Sequence, residues 1–212
     1  MISFSGIDCS GKSTQMEKVY DFFSKNHICC KMIHSRGGYT PLLEFVKRLI
    51  RHDKGDHGEA SEKARAEVHG NPRKRRFLLW LSILDIVLYY GIWFRLVELR
   101  GTTILADRYF WDSYIDFKMK YAEIDFEKWL VWKMARYIYL KPEHSVIYTI
   151  PAELSIYRST LKEEPWPESL EVRRDRIDWY MKEIANRRWQ HVIDATASIN
   201  DVFIETLKVL GL

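Results

Sequence analysis

The sequence has little of what would take it out of the ordinary globular class. It holds three cysteines in 212 residues. Cys9 stands alone and Cys29 and Cys30 are adjacent, so no metal-ligand spacing exists and a reduced, cytoplasmic compartment is expected. No basic leader followed by an apolar stretch and a cleavage site precedes the first motif, so secretion is not expected. Internal repeats and low-complexity tracts are absent. The surplus of positive charge is slight, +4 from 33 basic and 29 acidic residues. That is too little to argue for a nucleic-acid partner, and it suits a site for a small anion.

Long apolar runs are equally scarce. The exception is residues 77–94, FLLWLSILDIVLYYGIWF, which approach membrane-spanning length behind the basic run 73–76. Asp85 in the middle would be costly in lipid, so a buried core helix is expected and no membrane partner. With 47% hydrophobic and 29% charged residues, the composition is that of one well-buried domain spanning residues 1–212.

What is present is an alternation of strand and helix patterns. A strand is expected at 2–5, a helix at 12–25, a strand at 28–33, and a helix opening at Pro41. Residues 51–76 are strongly polar, with three glycines and one proline, and read as a polar insertion forming a loop or short solvated helix. Further helices are expected at 72–99, 111–140, from Pro151, 168–188 and 199–210, with strands at 102–106, 145–150 and 191–193. The pattern predicts an α/β fold: about five mainly parallel strands flanked by helices, with ligands at the carboxyl ends of the strands.

The chemistry starts at Gly6-Ile7-Asp8-Cys9-Ser10-Gly11-Lys12-Ser13, which fits G-x-x-x-x-G-K-[ST] directly after a strand and at the start of a helix. Such a loop turns backbone amides toward phosphate, and the helix N-terminus adds positive potential. Residues 6–14, ending at Thr14, are therefore the expected ATP site. Lys12 neutralises charge on the transferred group, and the Ser13 hydroxyl is a ligand for Mg²⁺. The strand 102–106 delivers Asp107 to its carboxyl end as the second magnesium candidate. Arg108 offers a planar fork to a phosphate. Asp8 inside the loop adds negative charge beside a triphosphate, so it faces either another ligand or nearby backbone amides.

Taken together, GIDCSGKST, SRGGYTPLLE, LADRYFWDS, HSVIYTIPAELSIYRS and VIDATASINDVFIETL resemble the thymidylate kinase family in order and spacing over nearly the whole chain. The resemblance implies a P-loop nucleotide kinase that uses ATP and Mg²⁺, in which Asp107 serves the reaction centre and Arg108 grips the acceptor monophosphate. It also implies Asp8, Arg36 and Tyr109 at the acceptor, a short lid near 158–170, and a homodimer. Lid cations would come from Arg158, Lys162, Arg173 and Arg174. Two departures are visible. Arg36 is followed by Gly37 where the family has Glu-Pro. In the family's LLFxxxR pattern, Trp80 can still stack on a base, whereas Leu84 stands where an Arg reads thymine. Three readings follow: a dTMP kinase, a related kinase with another nucleotide or anionic metabolite as acceptor, and a nucleotide-binding regulator without efficient transfer.

Overall fold

Every strand of the sheet runs the same way, which forces each connection to cross over through a helix or a longer segment. The structure, a computed structural model, describes residues 1–34, 71–162 and 168–212. Five strands form one all-parallel sheet: β1 (Ile2–Gly6), β2 (Cys30–His34), β3 (Thr103–Asp107), β4 (His144–Thr149) and β5 (His191–Asp194), in the order β2-β3-β1-β4-β5. The expected α/β class and strand number hold. β1 is buried along its whole length, as a central parallel strand covered on both faces must be.

The helices among the described residues are α1 (Lys12–Lys25), α2 (Pro72–Glu98), α3 (Phe110–Lys120), α4 (Leu130–Ile138), α5 (Ala152–Leu161), α6 (Leu170–Ala185) and α7 (Ile199–Leu210). α1 buries Met16, Val19 and Phe23. α7 starts at a Ser198 cap and stops at left-handed Gly211.

The start of α2 is written in the sequence: the Asn71 side chain accepts from the Arg73 and Lys74 amides, and Pro72 occupies the first turn. Residues 72–76, grouped above with the polar insertion, thus belong to a helix; residues 51–70 of that insertion and the helix expected at Pro41 lie outside the described residues. α2 is long and apolar enough to cross a membrane, but Leu79, Ile83, Ile86, Tyr90 and Phe94 are buried in the core, and so is Asp85. This is compatible with a soluble globular protein. Between Val87 and Trp93 the helix widens to π geometry, where it presses on α4. A Cβ at Gly91 would stand 2.5 Å from Ile138 Cγ2, so only glycine allows that approach. The opposite face leaves Phe77, Trp80, Leu88, Ile92, Leu96 and Leu99 exposed.

One expectation is corrected. Residues 111–140 are two helices, not one, separated by a turn at Tyr121 and a 3₁₀ segment (Phe126–Lys128). The aromatic periodicity misled because Phe110, Phe126, Trp132 and Tyr139 fill one cluster from different elements. Ring centroids lie 5.1 Å apart for Phe110 and Trp132, 5.0 Å for Phe126 and Trp132, and 4.2 Å for Phe110 and Tyr139.

Candidate active site

The chain leaves β1 toward β2 on one side of the sheet and leaves neighbouring β3 toward β4 on the other. The carboxyl ends of β1 and β3 therefore open into a crevice where connections diverge, the usual ligand position in an open parallel sheet. Register pairs Asp107 with Phe4 of β1 and with His34 of β2, which aligns the ends of the three strands.

The glycine loop leaves β1 at Gly6. Its φ of +136° disfavours any side chain, and a Cβ there would meet the Tyr148 carbonyl at 2.4 Å. The loop turns through left-handed Cys9 and Gly11, and the Ser10 amide donates to the Ile7 carbonyl at 3.3 Å. The Ile7 side chain is buried in the core, so this residue contributes backbone to the site. α1 then begins at Lys12, and its first-turn amides, having no intrahelical acceptor, face the loop.

Lys12 lies under the loop, 6% exposed, and its Nζ donates to the Ile7 carbonyl at 2.8 Å. Burial, with the Arg108 cation adding to it, pushes the ammonium down to about 8 against the pull of Asp107, Asp8 and Asp112. A bound polyphosphate must raise that value again, so binding takes up a proton above pH 8. ATP affinity is expected to fall about tenfold from pH 7 to pH 9, as the ammonium fraction falls by that factor. Calorimetric titrations across that range check this, and the slope should vanish in Lys12→Met.

Asp107 is held through one oxygen: Oδ2 lies 3.0 Å from His34 Nδ1. Its other oxygen, Oδ1, is buried and has no hydrogen-bond partner among the described residues. Asp107 at the end of β3 and the Ser13 hydroxyl at the start of α1 are the residues that would hold a magnesium ion, since both offer the oxygen donors this cation takes. Among the described residues no cluster of three or more His, Cys, Asp or Glu could hold a metal by protein ligands alone.

Arg108 follows in a left-handed turn, φ +64°, costly for a residue with a Cβ, and its amide donates to the Phe4 carbonyl at 2.8 Å. The guanidinium is 7% exposed and paired with the Asp8 carboxylate. Burial opposes its charge, but Tyr180, Asp8, Asp112 and Asp116 outweigh that and hold it above its ordinary value. Arg108 thereby balances the charge of the Asp8 carboxylate in the loop.

Beside the loop a cavity of about 390 Å³ is lined by Cys9, Gly11, Thr14, Arg158, Lys162 and Ile199, among others. Arg158 bridges it, donating to the Ala195 carbonyl at 3.0 Å and to the Cys9 carbonyl at 3.5 Å. A larger cleft of about 550 Å³ lies between the start of α2 and the 3₁₀ segment, but it shares no residue with the loop and carries none of its chemistry.

Four expected positions fall elsewhere. Arg173 is fully buried and directed at Ser155 Oγ and the Glu168 carbonyl, because α6 turns it inward. Arg174 is on the outer surface in an exposed ion pair with Glu153. Tyr109 is 3% exposed, its ring packed on Tyr90 and Phe94 and its hydroxyl donating to the Leu140 carbonyl at 2.8 Å, so it is a core residue. Trp80 is half-exposed and lies parallel to Phe77 at 6.4 Å. Arg36 lies outside the described residues. His34 and Asp112 were not singled out from the sequence. Asp112 could have been: it is the third residue of α3 and accepts from the Tyr109 amide at 2.9 Å, a capping box whose sequence cue is an acid three residues past the cap.

No protein-family model matches the sequence, and no curated protein matches it. The functional reading therefore rests on the site.

Proposed function

We propose that the chain is an ATP- and Mg²⁺-dependent phosphotransferase. The observation that carries this is the convergence, at one crevice, of a glycine loop on a helix N-terminus, buried Lys12, the free Asp107 oxygen and Arg108. The loop amides and Lys12 take the β- and γ-phosphates. Ser13 and Asp107 hold Mg²⁺, which when bound neutralises charge on the migrating group. The cavity beside Arg158 and Lys162 takes the nucleoside of ATP. Arg108, aligned by Asp8, grips an anionic acceptor. A phosphate oxygen is already a nucleophile, so the protein's task is alignment and exclusion of water.

Within that class the reading is a thymidylate kinase-like enzyme that converts dTMP to dTDP in the cytoplasm, where its three free cysteines stay reduced. A homodimer would form on the exposed apolar face of α2. A second reading changes the acceptor alone: Leu84 packs partly against the core and offers no hydrogen bond to a base.

The deciding experiment is ADP release with ATP and Mg²⁺ across dTMP, dUMP, the other nucleoside monophosphates and a control without acceptor. Turnover confined to dTMP is expected. Turnover on another monophosphate alone would move the assignment to the second reading, and none above the control on any acceptor would overturn the kinase reading for nucleotides.

A further inference from the structure

α6 is a charge-rich helix, and the face it turns inward is itself polar. Arg173, Arg176, Tyr180 and Glu183 are each at most 5% exposed. Their spacing places them along one side of the helix. Polar groups buried in this way are costly unless hydrogen-bonded, so their partners reveal what the helix is fastened to. Arg176 grips Asp116 on α3 and both carboxylate oxygens of Glu168, at 2.7 and 3.2 Å. Arg173 donates to Ser155 Oγ on α5, and that hydroxyl donates in turn to the Asp8 carbonyl of the phosphate loop at 2.7 Å. The Tyr180 hydroxyl donates to Asp112 Oδ1 at 2.6 Å and lies 3.4 Å from the Gly6 carbonyl.

Asp112 carries this fastening to Arg108. Its Oδ2 accepts from Ser5 Oγ on β1 at 2.6 Å and from the Tyr109 amide at 2.9 Å. That amide belongs to the peptide directly after Arg108, whose left-handed turn needs support from its surroundings. Burial pushes the Asp112 carboxyl up, and Arg108, Ser5, Tyr180 and the Tyr109 amide counteract this.

We propose that α6 is a strut that sets the geometry of the phosphate loop and Arg108, with Tyr180 as its positioning residue. Tyr180 orients Asp112, Asp112 fixes the Tyr109 amide, and Arg108 is thereby held in the turn that presents it to the acceptor. The role at the acceptor rests on the phosphotransfer reading; the fastening of the turn rests on the contacts alone.

The test compares the full-length chain with Tyr180→Phe, which removes one hydroxyl and keeps the ring, and with Lys182→Ala on the exposed side of the same helix. Amide hydrogen exchange is measured without ligand, followed by kinetics with ATP and the accepted monophosphate. Tyr180→Phe is expected to lower the melting temperature by about 2–4 °C. The Arg108 and Tyr109 amides should exchange about tenfold faster while the other β-sheet amides stay protected. The acceptor KM should rise about tenfold and the ATP KM change less than about twofold. Lys182→Ala should match the unmodified chain throughout. Unchanged exchange at Arg108 and Tyr109, or acceleration spread evenly over the sheet, would overturn the strut. An unmodified chain that neither binds ATP nor transfers phosphate, with the local acceleration still present in Tyr180→Phe, would overturn the phosphotransfer reading and leave the strut standing.

Discussion

Replacing Lys12 with alanine is expected to lower phosphoryl-transfer turnover by about 10³-fold or more, because it removes the ammonium held against the loop at the Ile7 carbonyl, where it would meet charge on the migrating group. The stability consequence has the opposite sign. Lys12 is buried and its ammonium is pushed down from 10.5 to about 8. A lowered folded value means the unfolded chain binds this proton more tightly, so at pH 7 the charged lysine works against the fold. Lys12→Met, which keeps the aliphatic length, should therefore raise the melting temperature while abolishing turnover. Turnover near that of the unmodified chain in Lys12→Ala would mean that the loop is not the site of transfer. A fall in melting temperature of Lys12→Met would mean that Lys12 is held for structure.

Arg108→Ala is expected to raise the acceptor KM by about 10–100-fold, the loss of charge-assisted hydrogen bonds to a phosphate. It should also weaken ATP binding, for a reason specific to this site. Arg108 is an ion-pair partner of Asp8, and without it the carboxylate in the loop loses that countercharge and repels the triphosphate more strongly. Asp8→Asn in the Arg108→Ala background should restore ATP affinity and leave the acceptor KM high. Steady-state kinetics of the two variants, with ATP and acceptor varied separately, check both parts. An unchanged acceptor KM in Arg108→Ala would remove Arg108 from the acceptor site.

These two residues also show how far the sequence could be read. The loop and the place of Lys12 were legible because the motif is local: glycines, a lysine and a hydroxyl within eight positions, between a strand and a helix. Asp107 and Arg108 were legible because an apolar strand ends at them. The order of the strands was not, since parallel strands buried on both faces carry similar apolar runs and nothing in each run names its neighbour. The inward face of α6 was hidden for a related reason. Arg173, Arg176 and Tyr180 are simply members of a charged helix until Ser155, Asp116 and Asp112, distant in sequence, are brought beside them. Tyr109 was assigned to the acceptor with its neighbours because adjacent residues share a motif, yet along the turn from β3 into α3 successive side chains part: Arg108 to Asp8 of the loop, Tyr109 into the core.

Phosphoryl transfer is tested most directly by the fate of the γ-phosphoryl group. The chain is incubated with Mg²⁺, dTMP and ATP carrying a radiolabelled γ-phosphoryl, and the products are separated. Label is expected in dTDP, and none there when Lys12 is alanine. Label that stays in ATP, or reaches only inorganic phosphate, with dTMP and equally with the other nucleoside monophosphates in its place, would contradict phosphoryl transfer to a nucleotide.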